Sequence, residues 1–258
     1  MICCYRGEVV MRNDLEIFCR ECVKRENELA LNKSFDNLES GGKEYSYNSI
    51  VFCLLDAVFS IGVKYKSVEN TVARYANYYN LDLYNDNFFD QHKLEDFINN
   101  YKSFYNNSPA QDSSFAESIL KNRQRTSPKN GILKSEACYE IALKLYGFGI
   151  NSLSNFRNLN INQICELEKI VNTVKGQGSG IMFSYFCMLC GDENSCKPDR
   201  WIKRFLEEIG LEKIAKDNEK IQSLFQNASK KLKVYYPNIS TRYLDYQIWA
   251  YQKGKDNS

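Results

Sequence analysis

From Ser46 to the C-terminal region the apolar residues recur at intervals of three and four, and nowhere does the chain alternate apolar with polar positions. That periodicity confines it to helices, because a half-buried strand would show a period of two. Ile50, Leu54, Ala57, Val58 and Ile61 mark one helix, and Val68, Val72 and Tyr75 mark a second that begins near Ser67. Leu94, Phe97, Ile98 and Tyr101 mark a third, broken at Asn106-Asn107-Ser108-Pro109. Phe115 to Leu120 forms a short helix, and Ala137, Ile141, Ala142 and Leu145 form the next, closed by Gly147 and Gly149. Ile164, Leu167, Ile170 and Val171 share a face of a helix capped by Asn160 or Asn162, and Ile214, Ile221, Leu224, Phe225 and Leu232 continue the pattern. The last helix starts after Pro237 with Ser240 or Thr241 as its cap, and buries Leu244, Ile248 and Trp249. The expected fold is all-α, compact, as one large domain or as two interlocked lobes.

A chain of 258 residues, 43% of them hydrophobic, buries a sufficient core without disulfide or metal. A net charge of +2 neither argues for nucleic acid nor excludes it, since a basic face can lie opposite an acidic one. No stretch approaches the roughly 18 consecutive apolar residues of a membrane span. Arg6, Glu8, Arg12 and Asp14 stand where a signal peptide needs an apolar run, so a cytoplasmic protein with reduced thiols is expected. Cys53 and Cys138 sit among apolar neighbours, where cysteine behaves as a small hydrophobe. Cys3-Cys4 with Cys19-x-x-Cys22 would suit a four-thiolate zinc site, and Cys187-x-x-Cys190 with Cys196 has metal-like spacing, but the expectation is no metal and no cofactor. His92, the only histidine, is expected in solvent and leaves no scope for histidine-based chemistry. Residues 1–44, with a charged helical stretch from Asp14 to Leu31, are expected as a peripheral N-terminal arm before a helical domain over 45–258.

Between two helices the chain reads Val174-Lys175-Gly176-Gln177-Gly178-Ser179-Gly180. Glycines at alternate positions permit a tight connection and let backbone N–H groups at the start of the next helix meet a phosphate, where the helix dipole favours negative charge. The same glycines suit a plain helix-to-helix turn, so both readings stay open on the turn alone. After the second helix, Ile181 to Leu189, come a polar loop, Gly191 to Lys197, and then Pro198-Asp199-Arg200-Trp201-Ile202-Lys203-Arg204-Phe205. An aspartate in that place either caps the helix or offers its carboxylate for chemistry.

This order of glycine hairpin, helix, loop, Pro-Asp and amphipathic helix, over 161–210, resembles the helix-hairpin-helix/Gly-Pro-Asp DNA glycosylase superfamily, with its endonuclease III-like fold. The resemblance implies that Gly176, Gln177, Gly178, Ser179 and Gly180 hold the DNA backbone and that Asp199 is catalytic, projecting into the base pocket. Upstream, Phe115 to Leu120 followed by Gln124-Arg125-Thr126 is similar to the family's early helix and Gln-bearing turn. That implies that Asn122, Arg123, Gln124 and Arg125 contact DNA and fill the space left by a flipped nucleotide. Leu55 to Gly62, Thr71 to Tyr75 and Tyr243 to Trp249 resemble a branch of the superfamily.

Two departures narrow the expectation. Gly180 occupies the position where bifunctional members carry the Schiff-base lysine, so lyase chemistry is not expected. No cysteine follows Cys196, so the four-cysteine iron–sulfur cluster of endonuclease III relatives has no ligands. Lys121, Arg123, Arg125, Lys129 and Lys134 fall in a stretch with no acid, which suits phosphate contact or simply a solvated loop. The expected activity is a monomeric, monofunctional DNA N-glycosylase of base excision repair. It would hydrolyse the glycosidic bond of a damaged base flipped from double-stranded DNA. The alternatives are a non-catalytic DNA-binding relative and a helical scaffold that does not bind DNA.

Overall fold

A computed structural model describes residues 12–35, 42–107 and 115–256. In chain order the α-helices are α1 (Arg12–Lys24), α2 (Ile50–Phe59), α3 (Tyr65–Tyr78), α4 (Leu94–Asn107), α5 (Lys134–Gly147), α6 (Leu153–Arg157), α7 (Ile161–Val171), α8 (Ile181–Cys190), α9 (Arg200–Glu208), α10 (Glu212–Ala215), α11 (Asn218–Leu232) and α12 (Thr241–Asp256). The short helix expected at 115–120 is a π-type turn over Ala116–Leu120. Among the described residues the one β-type pairing is an isolated bridge between Arg125 and Leu133, so the fold is all-α. No helix among them is long and apolar enough to cross a membrane. The chain divides into two compact units, one over Lys43–Gly191 and one made of Ile2–Gly42 with Asp192–Ser258.

At the centre of the first unit lies α2, every residue of which is buried. It has no polar face because α3, α5 and α8 pack around it. Each fully buried Leu or Phe side chain here contributes about 1.5–3 kcal/mol. Its one charge-bearing residue, Asp56, accepts hydrogen bonds from Tyr47 Oη (3.0 Å) and Tyr65 Oη (3.1 Å), the condition for keeping a carboxylate in such a place. Ser49 Oγ caps the N-terminus of α2 by accepting from Val51 N. At the other end Lys134 Nζ donates to the carbonyls of Phe59 (3.0 Å) and Ile61 (2.8 Å). Lys134 is only 2% exposed, so the last member of the basic stretch does not face phosphate; it caps a buried helix.

The histidine also departs from expectation. His92 is 8% exposed, its Nε2 lies 2.8 Å from Tyr75 Oη, and its carbonyl accepts from Ser49 Oγ at 2.6 Å. Burial lowers its pKa, so it serves as a neutral core group. Cys53, Cys138, Cys187 and Cys190 are all buried, as small hydrophobes are.

In the second unit α1, which falls within the stretch expected as an N-terminal arm, packs into the core. Leu15, Phe18, Cys19 and Cys22 lie along one face of α1, and Phe18 and Cys22 are fully buried in the same cluster as Phe205, Leu224, Phe225, Leu244 and Ile248. Phe18 lies with its ring centroid 5.0 Å from that of Phe225 and 6.0 Å from that of Phe205. Burial pushes the Cys19 thiol up to about 11 and that of Cys22 well above its ordinary value, as for cysteines packed among apolar neighbours. Cys3 and Cys4, the other half of the zinc reading, lie outside the described residues. At the far end Ser240 Oγ accepts from Tyr243 N (3.1 Å) and starts α12.

Candidate functional site

The glycine turn belongs to the first unit. Asn160 opens α7 with a reciprocal capping box, its side chain accepting from Asn162 N and Gln163 N while Gln163 Oε1 accepts from Asn160 N. After Asn172 the chain tucks in Val174 and Gln177 and leaves Lys175, Gly176, Gly178 and Ser179 exposed. Gln177 is 3% exposed, so this residue is not offered outward. Gly180 stands at the N-cap of α8 with φ +73°, and no side chain caps that helix.

Gly176 has a more demanding reason to be glycine. Its φ is +89°, and a β-carbon there would lie 2.5 Å from Thr126 Cβ. Thr126 follows Asn122, Arg123, Gln124 and Arg125 directly, so the glycine turn and the Gln-bearing turn are in contact within one unit. The latter is held by its own side chains. Asn122 Nδ2 donates to Thr71 Oγ1 (2.9 Å) on α3, and Asn122 Oδ1 accepts from Gln124 N (3.0 Å). Arg123 pairs with Glu117 at 2.6 Å, and Arg125 Nη1 donates to the Gly131 carbonyl at 2.5 Å. Gln124 is half-buried, with Oε1 lacking a hydrogen-bond partner. Lys121, Arg123, Arg125 and Lys129 are exposed.

Asp199 belongs to the second unit and caps α9: its Oδ1 accepts from Trp201 N (2.8 Å) and Ile202 N (3.3 Å). The side chain is half-buried, and its Oδ2 takes no part in the cap. Beside it Trp201 lies under two guanidinium groups, Arg200 at 4.7 Å and Arg204 at 5.0 Å from its ring centroid. The loop that delivers Asp199 is held from several sides. Asp192 accepts from Asn194 N (2.9 Å) and Ser195 Oγ (2.5 Å). Gln222 on α11 accepts from Cys196 N (3.0 Å) and donates to the Asn194 carbonyl (2.6 Å), which Gln226 also reaches. On α12, Arg242 pairs with Glu193, and Asp245 Oδ1 accepts from Lys197 N (2.9 Å). Sequence reasoning missed Gln222 and Asp245. The signal for Asp245 was a carboxylate on the apolar stripe Thr241, Leu244 and Ile248.

Residues 28–253 match the model of a family described as Domain of unknown function (DUF8548). The chain belongs to that family. The DUF8548 match takes in the glycine turn, the Gln-bearing turn, Asp199 and the side chains that clamp its loop. No curated protein and no solved structure matches the chain. The family description carries no activity, so function is argued from the residues themselves. Among the described residues no three His, Cys, Asp or Glu side chains come together as a metal site; Cys187 and Cys190 fall in the first unit and Cys196 in the second.

Proposed function

We propose that this DUF8548 chain is a monofunctional DNA N-glycosylase, a hydrolase that removes a flipped damaged base from double-stranded DNA in base excision repair. The observation that carries the proposal is the division of labour within Asp199: Oδ1 secures the helix start while Oδ2 is kept out of the cap. A carboxylate fixed in this way can stabilise an oxocarbenium-like sugar or orient a water molecule without reorganising. Support in the first unit comes from the exposed Gly176, Gly178 and Ser179, in a turn that leads into α8 through Gly180, an arrangement suited to phosphate. The left-handed backbone at Gly180 favours glycine over the lysine that a Schiff-base mechanism would need there. Release of a base without strand cleavage, and no covalent complex on borohydride treatment, are the expected outcomes. Incubation with duplexes carrying a panel of base lesions tests this directly; wild-type protein that binds the duplexes and releases no base would remove the enzyme.

One observation favours a second reading, a DNA-binding relative without chemistry. The N-cap already gives Asp199 a sufficient structural reason to be present. Duplex binding with no base release, in wild type and Asp199→Asn alike, would select it.

A further inference from the structure

Asp245 is a carboxyl group only 4% exposed on α12, a helix that also buries Thr241, Arg242 and Gln252 beside Leu244 and Ile248. Its Oδ1 accepts from Lys197 N, and the Lys197 carbonyl in turn accepts from Asp199 N at 2.6 Å. A single residue, Lys197, thus connects the buried carboxyl to the backbone that carries Asp199. We propose that Asp245 is a positioning residue for Asp199, fixing the backbone two residues before it and forming with it a two-carboxylate unit within the second body of the chain.

The electrostatics of the surroundings agree with that geometry. Burial raises the Asp245 carboxyl well above the ordinary carboxylate range, and the charge of Asp199 raises it further; the Lys197 N–H and the Lys197 charge pull the other way. Cys196 completes the set of titratable neighbours, and burial, Asp245 and Asp199 all raise its thiol. Burial and the Asp199 charge thus both favour the neutral form of Asp245. Its protonated form can accept at Oδ1 and donate from Oδ2, a pattern that the amide of asparagine reproduces. An Asp whose native pKa is raised contributes stability below its unfolded pKa of about 3.9, and that contribution is lost as pH rises through the native value.

The catalytic consequence rests on the glycosylase reading of Asp199; the pairing itself does not. Two measurements separate them. In the first, the carboxyl carbon of Asp245 is titrated by NMR in wild-type protein and in Asp199→Asn. The midpoint is expected to lie above the ordinary range in the wild type and to fall once the Asp199 charge is gone; an unmoved midpoint overturns the pairing. In the second, base release under single turnover is compared for Asp245→Ala and Asp245→Asn, with duplex affinity measured alongside. Asp245→Ala is expected to slow release roughly tenfold or more through misplacement of Asp199, with unchanged affinity, and Asp245→Asn to restore most of the rate. An alanine variant as fast as wild type, or an asparagine variant no better than alanine although folded, overturns the positioning role. If wild-type protein releases no base from any duplex, the glycosylase reading fails, and the titration alone decides the pairing.

Discussion

The turn at 172–180 and the loop at 192–199 are both short connections between helices, yet they are held in different ways. The turn relies on shape: Gly176 and Gly180 adopt left-handed backbone, Gly176 lies against Thr126, and Gly176 and Gly178 are exposed beside Thr173, Lys175 and Ser179. The loop relies on other elements: Gln222, Gln226, Arg242 and Asp245 each hold part of it. A surface meant to approach an extended anion gains from having few side chains in the way. A connection that must present one side chain at a fixed point gains from surrounding hydrogen bonds that lock it. The contrast suits a protein that grips backbone with one unit and keeps its chemistry in the other.

Asp199→Asn should give the largest effect and the sharpest version of that contrast. Asparagine caps a helix about as well as aspartate, so stability should change by no more than about 0.5 kcal/mol. Base release should fall about 10²–10³-fold while duplex affinity holds or rises, since the lost charge opposes phosphate but favours a cationic transition state. Single-turnover assays beside urea melts check both halves; full activity would remove Asp199 from the mechanism.

Gly176→Ala attacks the other connection through its shape. Left-handed backbone costs a non-glycine residue about 1–2 kcal/mol, and overpacking against Thr126 adds about 1–3 kcal/mol. Adding Thr126→Gly in the same chain should recover the packing part and leave the backbone part. A Gly176→Ala protein as stable as wild type in urea would show that the close approach does not constrain the turn. Gln222→Ala is the matching test of the loop. It strands the Cys196 N–H and should cost about 1–3 kcal/mol, with slower base release because the loop that delivers Asp199 loosens. Loss of stability without any change in release would separate the loop from the chemistry.

These differences also explain what was legible in the sequence. Helix positions followed from the period of three and four, and local caps such as Asn160 and Ser240 followed from residue type, because both signals act within a few residues. Asp199 was visible for the same reason, as the residue that opens a strongly amphipathic helix. What stayed hidden depends on partners far along the chain. Lys134 reads as one more basic residue until the end of α2, more than seventy residues earlier, comes to meet its amine. His92 reads as solvated until Tyr75 covers it. The α1 stripe was obscured differently: Leu15, Phe18, Cys19 and Cys22 form an apolar face on a helix whose other positions are mostly charged.

The smallest expected effect is the one that isolates DNA contact from folding. Gly178, unlike Gly176, has no left-handed backbone, and a β-carbon there would find only the Asn172 carbonyl, 3.9 Å away. Gly178→Glu therefore has room, and its stability should stay within about 0.5 kcal/mol of wild type. On DNA it places a negative charge where phosphate is expected, a repulsion of about 1–2 kcal/mol for partly screened groups, or roughly a tenfold loss of affinity. The loss should be equal for damaged and undamaged duplex, because phosphate contacts carry no information about the base, and it should fade as salt rises. Affinity that is unchanged at every salt concentration, in a variant that folds normally, would take the glycine turn out of the DNA interface and leave its glycines with a purely conformational role.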